Sequence, residues 1–157
     1  MIVAASVRQE ANDKKQLVPM LEQVEVLTGS KPQQATGDAG YFSEESVGDA
    51  KLEGIDLLVA PDRQKHGEEV TCGTGPPQAE VGVAERMRQK LRMVEGRAVY
   101  KMRKAVVEPV FGQIKEARGF RKFLLRGLEK VQAEWKLICA THNLWKLFQS
   151  GWSPRSA

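Results

Sequence analysis

Apolar and polar positions alternate along this chain in segments with distinct periods. Residues 2–7, Ile2-Val3-Ala4-Ala5-Ser6-Val7, form a continuous apolar run that predicts a short buried strand. Leu17, Met20, Leu21, Val24 and Leu27 then recur at helical spacing behind Asn12-Asp13 and Gln16, which resemble a capping box, and Gly29 ends the helix. Pro19 falls near the first turn, where proline is tolerated. Residues 34–42 read as a short extended piece entering a glycine-flanked turn that carries Asp38. Ser43 caps a second helix with Glu44 and Glu45 in its first turn, and Gly54 stops it. Residues 55–60, Ile-Asp-Leu-Leu-Val-Ala before Pro61, predict another buried strand. Strand, helix and strand in that order make a parallel crossover unit, with Asp38 at a strand's carboxyl end, where open α/β sheets bind ligands.

Turn formers dominate residues 62–82, including Cys72, His66 and the run Gly73-Thr74-Gly75-Pro76-Pro77, and predict an exposed loop. Helical periodicity resumes at Val83, with Met87, Leu91 and Val94 facing inward. A further helix carries Val99, Met102, Val106, Val110 and Ile114 as its inner face, and Pro109 predicts a break or kink beside Glu108. Leu128, Val131, Trp135, Ile138, Trp145 and Phe148 mark a final amphipathic helix over residues 127–149, with His142 on the same face as a core or interface histidine. Residues 150–157 read as a tail. The domain plan is a partial core over 1–60, a loop over 61–82, a basic helical part over 83–150 and a tail over 151–157.

Charge sharpens this plan. Residues 1–84 hold 7 basic and 14 acidic side chains and residues 85–157 hold 17 and 6, so a net +4 divides into −7 and +11. A half so basic points to a polyanion, and nucleic acid leads among the partners. No run reaches the ~18 apolar residues of a membrane span. A cytoplasmic chain associated with the nucleoid, and with no membrane partner, is expected. Cys72 and Cys139 have no zinc-ligand spacing and are expected as free thiols.

Glu108 is the one acid between Tyr100 and Lys115, and Lys104, Glu108 and Lys115 share a helix face. On spacing alone this is either a solvated charge stripe or a working carboxylate. Asp38 at a strand end and Glu108 on a basic helix suit metal-assisted phosphoryl chemistry, in which carboxylates from separate elements hold the ions.

Two motifs carry a family resemblance. G-D-A-G-Y-F-S-E-E (37–45) and Y-K-M-R-K-A-V-V-E-P-V-F-G-Q-I-K (100–115), continued by E-A-R-G-F-R-K-F-L-L-R-G-L-E-K (116–130), resemble bacterial insertion-sequence transposases of the DDE type. The closing W-K-L-I-C-A-T-H-N-L-W-K-L (135–147) is similar to their last helix. The resemblance implies an α/β fold: an incomplete RNase H-like core, with a short mixed sheet and flanking helices, followed by a basic helical C-terminal half. It implies metal-dependent DNA cleavage and strand transfer at transposon ends, with Mg²⁺ or Mn²⁺ held by Asp38 and Glu108 as catalytic residues. Tyr100, Arg103 and Lys115 match the other members of the signature, with Lys104 able to stand in for Arg103, whose spacing to Glu108 departs by one residue. Arg118, Arg121 and Lys122 join them as expected DNA contacts. The partners implied are transposon-end and target DNA, a second copy of the chain, or a full-length transposase. The first aspartate of the family pattern has no counterpart here, so a truncated and inactive C-terminal portion is expected, with a non-catalytic DNA-binding or inhibitory chain as the alternative.

Overall fold

The computed structural model describes residues 1–62 and 81–152. The loop residues His66 and Cys72, and the tail beyond Trp152, lie outside the described residues. The chain forms two compact units, one of residues Ala11–Pro109 and one of Met1–Glu10 with Val110–Ala157.

The first unit is built on a strand-helix-strand crossover. β1 (Gln34–Gly37) and β2 (Asp56–Val59) pair in parallel, with Gln34 opposite Asp56 and Gly37 opposite Val59. Leu57, Leu58, Val59 and Ala60 are all buried, as expected of a strand whose two faces are both covered. Around them pack Leu17 of α1 (Leu17–Thr28), Leu52, and Met87 and Leu91 of α3 (Val83–Arg92). Burial of side chains such as Leu58 contributes about 1.5–3 kcal/mol each. Ser43 caps the short α2 (Glu44–Val47), its Oγ accepting the Ser46 N–H at 3.1 Å.

α1 begins later than the sequence predicts. Asp13 caps no helix; its carbonyl accepts the Gln16 N–H at 2.9 Å, closing a turn ahead of Leu17. Pro19 therefore lies in the first helical turn, where a backbone N–H has no intrahelical partner to lose. Leu27 faces solvent, so the inner face is shorter than expected.

α4 (Val94–Gly112) follows α3 after one extended residue, Met93. Its first turn is closed against α3 by Gly96, which is buried: a Cβ there would lie 2.1 Å from the Lys90 carbonyl oxygen and 3.3 Å from Leu58 Cδ2. The expected break at Pro109 does not occur. The helix continues to Gly112, and α geometry gives way to a π turn at Gln113–Ala117. Val94, Met102 and Val106, expected inside, are 72%, 60% and 62% exposed.

The second unit is organised on α5 (Leu128–Gln149), whose buried residues are Ile138, Cys139 and His142. Leu128, Trp145 and Phe148 are exposed, so the inner stripe is narrower than the sequence suggests. Residues 2–7 form no strand. Ile2 donates to Asn143 Oδ1 (2.8 Å) and accepts from Asn143 Nδ2 (2.6 Å), while Val7 donates to Gln132 Oε1 (2.5 Å) and Ala5 accepts from Gln132 Nε2 (3.1 Å). Five extended residues and eleven helical ones both span about 16.5 Å, so the segment lies nearly straight and antiparallel along α5. Two side-chain amides thus take up backbone groups of Ile2, Ala5 and Val7. With that strand absent, the two-stranded sheet among the described residues is wholly parallel, and the mixed sheet expected from the sequence is corrected to this.

Candidate functional site

Asp38 leaves β1 at its carboxyl end and caps the 3-10 turn Ala39–Tyr41. Its Oδ1 accepts the Gly40 N–H at 3.0 Å, and its carbonyl accepts the Tyr41 N–H at 3.1 Å. These bonds fix the carboxylate's direction while leaving it half exposed. The β1–β2 register accounts for the placement, because Gly37 ends the ladder opposite Val59 and the next side chain falls at the sheet's edge.

Arg103 of α4 reaches the other oxygen, with Nη1 3.7 Å from Asp38 Oδ2. Its guanidinium carbon lies 5.2 Å from the centre of the Tyr100 ring, and its Nε is buried without a partner. Tyr100 and Arg103 are three residues apart and so share a helix face. Burial pushes the Tyr100 hydroxyl's pKa up; Arg103 opposes that rise and Asp38 adds to it.

A second carboxylate stands near Asp38. A Cβ at Gly40 would be 3.1 Å from Asp38 Oδ1 and 3.9 Å from Asp13 Oδ2, so both oxygens lie near that glycine. Burial raises the pKa of Tyr41, and both Asp13 and Asp38 raise it further. Asp13 is absent from the set that the sequence singles out, because its place after Asn12 reads as a helix cap. Only the fold brings it within reach of Asp38.

Glu108 is exposed on α4. On an ideal helix it lies about 140° round from Arg103, whereas Lys104 lies only about 40° from it. Arg103 and Glu108 therefore leave α4 in different directions, and Lys104 lies on Glu108's side together with Lys101, seven positions before it.

The remaining basic residues belong to the second unit. Lys115, in the π turn, lies with Nζ 5.6 Å from the centre of the Phe111 ring. Arg118 is turned inward: Nη1 donates to the Ile138 carbonyl (3.1 Å), Nη2 donates to Thr141 Oγ1 (2.6 Å), and the guanidinium carbon sits 4.9 Å over Phe120. Arg121 pairs with Glu116, and Lys122 is exposed. The Glu134 carboxylate accepts the Leu124 and Leu125 N–H groups at 2.8 and 2.9 Å. Arg118 and Glu134 thus tie the two ends of one loop to α5, and Arg121 and Lys122 project from between them.

A family model for the transposase DDE domain matches residues 62–148, more than half of the chain. The chain belongs to the transposase DDE domain family. No curated protein and no solved structure matches it. The matched stretch holds Tyr100, Arg103, Lys104, Glu108, Lys115, Arg118, Arg121 and Lys122, while Asp38 precedes it. Asp38 is nevertheless tied to the transposase stretch by its contact with Arg103.

DDE transposases use divalent metal ions. Among the described residues no three His, Cys, Asp or Glu side chains converge where an ion could be held, and the cation beside Asp38 is the Arg103 guanidinium. The described arrangement does not fit a divalent-ion centre. Among those residues no helix is long and apolar enough to cross a membrane.

Proposed function

We propose that this chain is the part of a DNA transposase that supplies the second aspartate, Asp38, and the glutamate, Glu108, of an RNase H-like active site. Its parent reaction is cleavage and strand transfer at transposon ends with Mg²⁺ or Mn²⁺. The observation that carries the reading is the convergence of Asp38 with Tyr100 and Arg103, which joins the strand-end motif to the transposase signature helix. Lys104, Lys115, Arg121 and Lys122 are the phosphate contacts in this reading. Arg118 shapes the loop that presents two of them, because two of its N–H donors bond α5.

The basic residues also support a second reading, in which the chain binds DNA without cutting it, as a DNA-binding partner or competitor of a full-length transposase, associated with the nucleoid. Gel-shift and nicking assays on a duplex carrying the transposon end that flanks its own gene test both statements. Binding that weakens when Arg121 and Lys122 are reversed to glutamate, with a shallower salt dependence, supports the reading. Nicking in Mg²⁺ or Mn²⁺ that Asp38→Asn abolishes contradicts the inactive state while upholding the catalytic ancestry.

A further inference from the structure

We propose that the outer face of α5 is a docking surface for a second copy of this chain, with the two α5 helices antiparallel. The inference goes beyond the DNA-binding reading and does not depend on it. α5 buries Ile138, Cys139 and His142 on one side. Its other side carries Ala133, Leu137, Ala140, Leu144 and Phe148, all exposed, with Leu137 and Leu144 65% and Phe148 82% open to solvent. On an ideal helix these five fall within an arc of about 80°, spaced as the seam residues of a coiled coil are. A continuous exposed apolar stripe of this kind marks an interaction surface. No bare charge interrupts it. Glu134, at its edge, has its carboxylate committed to the Leu124 and Leu125 N–H groups, and Lys136 lies about 100° round from Leu137.

The order of sizes and charges along the stripe selects the occupant. In a two-fold contact residue i of one copy meets residue j of the other and j meets i, so the stripe must fit its own reverse. With the axis level with residues 140 and 141, Leu137 meets Leu144 and the small Ala133 meets the large Phe148. Ala140 sits at the centre, where a methyl group lets the helix axes approach to about 8 Å. The ends are complementary in charge. Lys130 lies in line with the stripe and comes level with the C-terminal end of the other helix, whose partial negative charge favours a cation. In a parallel pair Phe148 would meet Phe148 and Lys130 would meet Lys130, so bulk would meet bulk and like charge like charge. The paired length is 22 residues, about 33 Å. A contact this short belongs with weak associations, with a Kd on the order of 10–100 µM.

The test is sedimentation equilibrium of the full chain without DNA, over concentrations spanning that range. A monomer–dimer equilibrium is expected. Leu144→Glu should weaken it by at least about tenfold, because the new carboxylate of each copy meets Leu137 of the other and both contacts are lost. Leu137→Glu should act alike. Both positions are exposed, so the fold should persist, which circular dichroism melts verify. Orientation is read by cross-linking in a Cys72→Ser background. Ala140→Cys should give a disulfide-linked dimer under mild oxidation. Ala133→Cys should not, because antiparallel pairing sets the two 133 positions about 22 Å apart along the helices. A chain that stays monomeric throughout, or a dimer indifferent to both glutamate variants, overturns the proposal. Cross-linking of Ala133→Cys as readily as Ala140→Cys overturns the antiparallel pairing. A monomer that instead binds phosphatidylglycerol vesicles, and loses them in Leu144→Glu, assigns the face to a lipid surface and likewise overturns the proposal.

Discussion

Replacing Gly96 by alanine adds one methyl group where two backbones already touch. The new Cβ would lie 2.1 Å from the Lys90 carbonyl oxygen, 0.9 Å inside the 3.0 Å below which Cβ contacts essentially do not occur. The obstacle is main chain, so no rotamer change relieves it. Lys90 is itself anchored: its carbonyl accepts the Met93 N–H at 3.3 Å, and its Nζ donates to the Leu57 carbonyl at 2.8 Å and pairs with Asp56. Relief requires α3 and α4 to separate above Leu58, opening the core that β2 fills. Overpacking of this kind costs about 1–3 kcal/mol, and the gain from alanine's helix propensity returns less than about 1 kcal/mol. The net expected loss is about 1 kcal/mol, or a melting temperature lower by about 2–4 °C for a chain of this size. Gly112, with nothing within 4 Å of its Cβ position, is the internal control, and Gly112→Ala should be neutral or stabilising by up to about 1 kcal/mol. Urea melts followed by circular dichroism compare the three proteins. A Gly96→Ala chain as stable as wild type would mean that the α3–α4 contact tolerates a methyl group, against this account.

His142 is fully buried with neither ring nitrogen bonded, and burial, then Lys146, Arg118 and the N-terminal ammonium, depress its pKa below 6.5. A base with a depressed folded pKa stabilises the fold above its unfolded pKa and loses that contribution as pH falls. Stability should therefore decline below about pH 6.5 and level off below the folded pKa, and His142→Leu should flatten that part of a urea-midpoint profile. An unchanged slope would show that other groups set the acid limit. Asn143→Leu and Gln132→Leu each remove two hydrogen bonds to residues 2–7, at about 1–3 kcal/mol each. Hydrogen exchange at the Ile2 and Val7 amides should accelerate at least tenfold in the double variant, while exchange in β2 stays slow.

Local signals in the sequence translate well into the fold where they are strong and short in range. The Ser43 cap, the Gly29 stop, the apolar run of β2 and the place of Asp38 after β1 all depend on neighbours within a few residues, and all are found. The first apolar run misleads because its partners lie more than a hundred residues away: periodicity cannot show that Gln132 and Asn143 will supply the hydrogen bonds. The inner face of α4 misleads for a related reason. Period 3.6 selects a stripe, but which part is covered depends on what packs there, and Met102 and Val106 are exposed. At the site, Asp38 and Glu108 are visible as motif carboxylates. The contact of Arg103 with Asp38 and the approach of Asp13 arise only from tertiary structure, since each joins residues at least 25 positions apart.

In the proposed reading this transposase-family chain holds DNA through the basic residues of α4 and the 118–127 loop while its carboxylates stay uncommitted to catalysis. Fluorescence anisotropy of a labelled transposon-end duplex, with nicking scored in the same Mn²⁺-containing samples, decides between the outcomes. Salt-dependent binding, preserved in Asp38→Ala and Glu108→Ala, weakened by charge reversal at Arg121 and Lys122, and accompanied by intact strands, is the result expected. Absence of binding at low salt, or cleavage that requires Asp38 and Glu108, would contradict it.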